Sequence, residues 1–390
     1  MSEDIYSLSL SPKSVSSEIS FHSNDSFELS QKDNQDICSL LGIGDPIVDI
    51  IGDITSETIR EYNLELGGSI LANEDESQRI IEVYKKIEDM KTVNYIPGGS
   101  VQNTMRILSW CLNNDFIKRE KYTISMLGSV GDDIYKDKIL DALNAIGVNS
   151  MLEILQNDKT SRCAFGIFQK EKLFVTQLRA SKRLSENFIE ENLDKILEHQ
   201  ALIIEGYLLN NKFNIVKKLC DYFSRNKKLI ILTLSANFIV KLHYEKLIEL
   251  GNKADIINGS MGEAKEFAMY QGDNVKDIFK IIFKKLKPKE NRLLVITDGP
   301  NGAYCFKYNY ENDELESFIH CPANFLKEDE IKDLNGAGDT FLGGFLSEYI
   351  KGSSLHHSIQ KGINAATIIL KNVGCTFPKE VKISKIKEDY

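Results

Sequence analysis

The sequence predicts an α/β fold, a three-layer α/β/α sandwich with a mainly parallel central sheet and a small α/β lid. Short β-branched apolar runs recur at Cys38–Gly44, Ile47–Gly52, Ile124–Leu127, Ala201–Glu205, Leu229–Leu234, Ala254–Ile257 and Leu293–Thr297. Such runs suit strands buried on both faces of a parallel sheet. Between them lie amphipathic stretches of helical period at Val101–Leu112, Tyr135–Ile146, Asn187–Glu198, Phe213–Phe223, Val275–Leu286 and Leu355–Leu370. Strand and helix therefore alternate, which argues against an all-α or all-β chain.

Two segments break this rhythm and predict the lid. Residues 53–97 open with a short helical stretch, Glu57–Tyr62, followed by a Gly-Gly turn and an extended piece at Ile70–Ala72. Around 150–180, Cys163, Phe165 and Ile167 alternate with polar residues, then a charged turn Gln169–Lys172 leads to Phe174 and Thr176. That pattern is a half-buried antiparallel hairpin. Upstream, residues 1–36 are Ser-rich with no sustained period and read as a disordered tail, in which Ser11-Pro12 suits a phosphorylation site or, more simply, part of a solvated tail. One domain is expected over 37–390, with the lid segments inserted in it.

Composition narrows the function. The 390 residues are 42% hydrophobic and 27% charged, an ordinary globular mixture. Lys and Arg number 48 against 57 Asp and Glu, a net charge of −9, which is no electrostatic footprint for nucleic acid. Seven cysteines without a Cys-x-x-Cys pair, and no zinc-like His spacing, point to buried reduced thiols in a cytosolic protein. No apolar run reaches the length of a membrane span and no targeting pattern opens the chain, so a cytoplasmic protein is expected.

The segment Asp333-Leu334-Asn335-Gly336-Ala337-Gly338-Asp339-Thr340-Phe341, leading into a helical stretch, carries the chemistry. Small residues at 336–338 let the backbone turn tightly, so that consecutive N–H groups face outward at a helix N-terminus, an anion site. Asp339 follows at once. A carboxylate beside a phosphate site suits a general base that takes the proton of an attacking alcohol, and it equally suits a simple dipole partner for the helix. Earlier, Pro97-Gly98-Gly99-Ser100-Val101-Gln102-Asn103 combines close backbone approach with a hydrogen-bonding Asn. In Gly44-Asp45-Pro46-Ile47-Val48-Asp49-Ile50, the Asp49 carboxylate at a strand end can accept two bonds from a vicinal diol or cap a turn.

These three motifs, in this order, resemble the ribokinase (PfkB) carbohydrate kinase family, and within it the adenosine kinases. Leu234-Ser235-Ala236, Thr297-Asp298-Gly299 and Gly374-Cys375-Thr376-Phe377-Pro378 extend the resemblance over residues 38–378. It implies a ribokinase-like fold and ATP-dependent phosphorylation of the 5′-hydroxyl of adenosine in purine salvage, with Mg²⁺ and with ATP as co-substrate. Asp339 matches the family's base, and Gly336, Ala337 and Gly338 its anion hole. The substrate site implied comprises Asp49, Ile47, Gly98, Gly99, Ser100, Asn103, Leu71, Cys163 and Tyr207. Asn335, Thr297, Gly299, Asn364 and Lys172 would contact ATP. Adenosine and ATP are the implied partners of a monomer that binds neither nucleic acid nor membrane.

Several positions depart from the pattern. Asp45 replaces the usual Asn and adds a charge next to the sugar site, and Leu334 replaces Thr. The metal motif Asn-x-x-Glu reads Ser260 to Glu263, with Asn258 available in a shifted register. Lys172 stands where an Arg closes over the γ-phosphate, with Arg179 as the alternative, and Tyr207 stands for a Phe. Two other readings stay open: a sugar kinase of the same family, or a catalytically weakened nucleoside-binding protein.

Overall fold

The computed structural model describes residues 38–61, 69–71, 82–83, 86, 94–113, 122–168 and 171–377. The Ser-rich segment 1–36, the Gly-Gly turn at 67–68, Ala72, residues 169–170 of the charged turn and Pro378 lie outside them, as do the side chains of Leu71 and Lys172. The strands are β1 Ser39–Ile43, β2 Ile47–Asp53, β3 Ser69–Leu71, β4 Asn94–Gly98, β5 Thr123–Gly131, β6 Val148–Leu155 and β7 Ser161–Phe168, then β8 Glu171–Gln177, β9 Ala201–Glu205, β10 Leu229–Thr233, β11 Ile256–Ser260, β12 Leu293–Thr297, β13 Ala303–Asn309 and β14 Glu314–Cys321. The helices are α1 Ser56–Glu61, α2 Ser100–Asn113, α3 Ile134–Ala145, α4 Glu186–Glu191, α5 Leu193–Glu198 and α6 Phe213–Arg225, then α7 Asn237–Leu242, α8 Tyr244–Gly251, α9 Met261–Phe267, α10 Val275–Lys285, α11 Ala337–Tyr349 and α12 Leu355–Ile369.

Nine strands form one sheet in the order β14-β13-β12-β11-β10-β9-β1-β5-β6. All pairs from β12 to β6 are parallel, and β13 and β14 return antiparallel at one edge. Its central strands are buried without alternation (β9 throughout, β10 from Ile230 onward), as apolar runs covered on both faces must be. One face packs a cluster that includes Met105, Leu108, Phe341, Leu342 and Phe345 from α2 and α11. The other packs Leu219, Phe223, Phe279 and Phe283 from α6 and α10. These are the outer layers of the sandwich.

A second sheet of five strands has the order β3-β8-β7-β2-β4. The hairpin expected near 160–178 forms, with β7 antiparallel to β8, but β7 is an interior strand paired also with β2. Cys163, Ala164, Phe165 and Gly166 are therefore all buried, where alternation had been expected. The apolar run of β2 likewise belongs to this sheet, not to the large one. The chain passes from β1 to β2 through only Gly44, Asp45 and Pro46, and from β4 back to α2 through Gly99.

Sequence periodicity merges two helices over 187–198, whereas the structure breaks them at Asn192, whose side chain bonds back to the Phe188 carbonyl at 2.9 Å. Among the described residues no helix is long and apolar enough to cross a membrane.

Helices α2 and α11 cross closely because Gly343 has no side chain. A Cβ there would lie 2.8 Å from the Thr104 carbonyl oxygen and 2.9 Å from Ile107 Cβ. Backbone cannot yield as a flexible side chain can, so Gly343→Ala should destabilise the fold by about 1–3 kcal/mol in urea unfolding. A variant as stable as the parent would mean the helices can separate freely.

Candidate active site

Two helix N-termini converge on one carboxylate. Gly336 sits before α11 with φ +73°, the left-handed turn that its missing side chain permits, and a Cβ there would lie 3.0 Å from Cys375 Cβ. Gly338 and Asp339 fall in the first turn, where N–H groups point beyond the helix end. Nothing lies within 4 Å of the place a Gly338 Cβ would occupy, so this part of the turn faces open space. Partly buried Asp339 accepts the Ser100 hydroxyl at 2.6 Å and Asn103 Nδ2 at 3.1 Å, both from the start of α2. Burial raises its pKa, and the two hydrogen bonds oppose the rise.

Asp333, expected only as a retained motif residue, fixes the turn. Its Oδ1 accepts the Asn335 backbone N–H at 3.0 Å and side chain at 2.8 Å, and its Oδ2 accepts the Gly374 N–H at 2.8 Å. The chain around Cys375 is thereby held against the glycine turn.

Asp49 projects from β2 over Gly98, where a Cβ would come within 2.4 Å of its carboxylate. Cys163 is its register partner on β7, and burial together with this carboxylate pushes the Cys163 thiol up. Ile47 and Gly98 are drawn together by Gln102, whose Nε2 donates to the Gly98 carbonyl at 2.6 Å and the Ile47 carbonyl at 3.3 Å. Gly99, at φ +94°, touches the Asp45 carbonyl. Burial raises the Asp49 pKa from 3.8 to about 7; Arg106 opposes this, while Asp333 and Asp339 add to it. Arg106 was not singled out from sequence, where it is one polar residue on an apolar helix. It is buried, with Nη1 donating to the Pro97 and Cys375 carbonyls at 3.1 and 3.3 Å.

Tyr207 lies in the turn after β9, its hydroxyl 3.3 Å from the Ser235 carbonyl and its ring 6.1 Å from Phe238, which is 60% exposed. Burial raises its pKa, and Asp339, Glu205 and Glu263 add to the rise, so these groups share one electrostatic neighbourhood. Ser260 and Glu263 cap α9 reciprocally: Glu263 Oε2 accepts the Ser260 N–H at 3.0 Å, and Ser260 Oγ accepts the Glu263 N–H at 3.3 Å. Asn258, the alternative in a shifted register, is buried and donates to the Val295 carbonyl at 2.9 Å, so its side chain belongs to the sheet.

Further along the same edge, Thr297 ends β12, and Gly299 follows at φ +51° with open space where a side chain would be. Asn364 on α12 accepts from Asn324 at 2.8 Å. Leu71 lies on β3 and Lys172 on β8, where it pairs with Ile167. Among the described residues no three His, Cys, Asp or Glu side chains gather as a metal cage. The oxygen donors present, Glu263 and Ser260, fit a hard cation that keeps most of its waters and arrives on a phosphate chain.

A further buried set was missed from sequence. Glu205, last residue of β9, accepts the Asp45 N–H at 2.7 Å on Oε1 and the Val101 N–H at 2.9 Å on Oε2. Lys212 Nζ bonds Asp45 Oδ1, and all three side chains are buried. Burial raises the Glu205 pKa, with Asp45 adding to it.

A family model described as pfkB family carbohydrate kinase matches residues 69–382. The adenosine kinase of Dictyostelium discoideum is 29% identical over 345 residues, covering 87% of this chain and 96% of its own length. Adenosine kinase 2 of Arabidopsis thaliana is 25% identical over 348 residues, with the same coverage of 87% and 96%. Among solved structures, apo adenosine kinase of Trypanosoma brucei brucei superposes with a TM-score of 0.75 at 26% identity, over 86% of this chain and 99% of that one. Schistosoma mansoni adenosine kinase in complex with 2-fluoroadenosine gives a TM-score of 0.74 at 26% identity, over 87% and 97%.

The Asp49 shift has a stability consequence. Between pH 3.8 and about 7 the folded protein holds a proton that the unfolded chain has released, so stability falls as pH rises through that window. Asp49→Asn removes this penalty. Scanning calorimetry of the ligand-free variant should show a melting temperature a few degrees above wild type at about pH 8 and closer to it at about pH 4. An equal gap at both pH values would mean that Asp49 carries no buried charge.

Proposed function

The chain belongs to the pfkB family of carbohydrate kinases, and from that membership we propose that it phosphorylates the 5′-hydroxyl of adenosine with ATP, yielding AMP and ADP. The observation that carries this reading is Asp339: a carboxylate at the glycine turn, bonded by Ser100 and Asn103 and electrostatically coupled to Asp49. In this reading a base works near a group suited to a vicinal diol. The curated relatives it matches, and the superposing structures bound to 2-fluoroadenosine or adenosine, support the nucleoside as acceptor.

In this mechanism Asp49 accepts hydrogen bonds from the ribose diol and so places the 5′-hydroxyl toward Asp339. Burial, by raising the Asp339 pKa, makes it a better proton acceptor than an exposed carboxylate. The Ser100 hydroxyl, 2.6 Å from Oδ1, occupies the place of the incoming alcohol, which takes over that bond as it transfers its proton. The N–H groups of the 336–339 turn face the phosphoryl group in flight. Tyr207 offers a flat ring to the adenine, Cys163 lines the ribose side, and Leu71 and Lys172 belong to the sheet that acts as lid. Thr297, Gly299, Asn335 and Asn364 lie along the edge assigned to ATP. Glu263 and Ser260 would hold Mg²⁺ through its waters, and the ion would neutralise charge on the phosphates when bound. The reading is that of a cytosolic monomer, one kinase domain over 37–390 with its lid.

Replacing Asp339 with Asn keeps the shape and removes the base, so kcat should fall by about 10²–10⁴ with adenosine affinity nearly unchanged. Comparable turnover would take Asp339 out of that role. A competition assay with ATP and Mg²⁺ separates the acceptors: AMP should form in the presence of excess ribose, and phosphorylation of ribose with adenosine ignored would sink the assignment.

A further inference from the structure

Glu205 spends its two carboxylate oxygens where the chain enters β2 of the lid sheet and where it leaves β4 for α2. Oε1 takes the N–H of Asp45, in the three-residue link from β1 to β2. Oε2 takes the N–H of Val101, three residues past the end of β4, in the first turn of α2 and adjacent to Ser100. The links also touch each other, since a Cβ on Gly99 would lie 2.3 Å from the Asp45 carbonyl. Fit around the carboxylate is close: a Cβ on Gly44 would come within 3.1 Å of Glu205 Oε2.

Two acidic side chains in one buried place need a cation. Lys212, at the N-terminal end of α6, supplies it through Asp45 Oδ1, leaving both Glu205 oxygens to the backbone. The extra charge at Asp45, where the family pattern has Asn, therefore has a built-in partner that short-range sequence reading could not see.

We propose that Glu205 is a positioning residue for the nucleoside side of the reaction, clasping the entry to β2 and the start of α2 so that Asp49 and the Ser100–Asn103 segment keep one spacing. Asp49 lies four residues beyond the first clasped amide, and Ser100 immediately before the second. Loosening the clasp displaces the groups that meet the nucleoside. It leaves alone the edge that carries Thr297, Gly299 and Asn364. This inference rests on the adenosine kinase reading.

Steady-state kinetics of Glu205→Gln tests it, because the carboxamide offers an acceptor to one amide and a second N–H donor to the other. The adenosine KM should rise by about tenfold or more while the ATP KM stays within about twofold. An adenosine KM unchanged within about twofold, or both KM values raised together, overturns the proposal. Should that variant not fold by thermal melting, Glu205→Asp carries the test; its carboxylate cannot span both amides, and the same split in KM is required of it. Wild-type enzyme inactive on adenosine defeats the adenosine kinase reading and this inference with it. Active wild type with an unsplit variant defeats the inference alone.

Discussion

Helices α2 and α11 begin more than two hundred residues apart in the chain, yet their first turns meet at the Asp339 carboxylate. Each helix brings the positive end of its dipole to that meeting point. A single acidic side chain is therefore both the joint between them and the charge they tolerate. The crossing that allows it depends on Gly343 lying against backbone of α2, one turn beyond Asp339. Packing and polar geometry share the same constraint here, since distance between the helices sets distance between the Asp339 carboxylate and its donors.

Charge around Asp339 is balanced by burial as much as by pairing. Asp49, Asp333 and Asp339 crowd one region, and Arg106 is the buried cation among them. Asp333 ties up its oxygens on three N–H donors of the backbone and of Asn335. Among the described residues Asp49 finds no such saturation, and burial together with the nearby like charges makes it take a proton more readily. Such a set of carboxylates does not attract an anion by net charge, and the favourable potential nearby comes from the oriented N–H groups at the start of α11.

Much of this was legible in the sequence. Apolar runs located β1, β9, β10 and β12 within a residue or two, because strands covered on both faces have no reason to alternate. The three motif segments lie where their glycines predicted, at turns. What stayed hidden lies at edges and in long-range pairings. β4 contains Pro97 and Gly98, residues that argue against a strand, and it survives as an edge strand of the lid. β6 and β14 occupy the two edges of the large sheet, where polar residues dilute the pattern. Arg106 and the Glu205–Asp45–Lys212 set could not be read, because their meaning comes from partners that only the tertiary fold brings into contact. Ser260 was expected as a weakened metal contact, and the structure gives it the further task of capping α9.

The hydroxyl of Ser100 keeps one oxygen of the Asp339 carboxylate occupied. Any molecule wanting that oxygen has to outcompete a tethered neighbour that never diffuses away. A lone water has no second handhold with which to do so, whereas a group held at another point as well does. The serine thus sets a threshold for access to this oxygen that single-point binding does not meet.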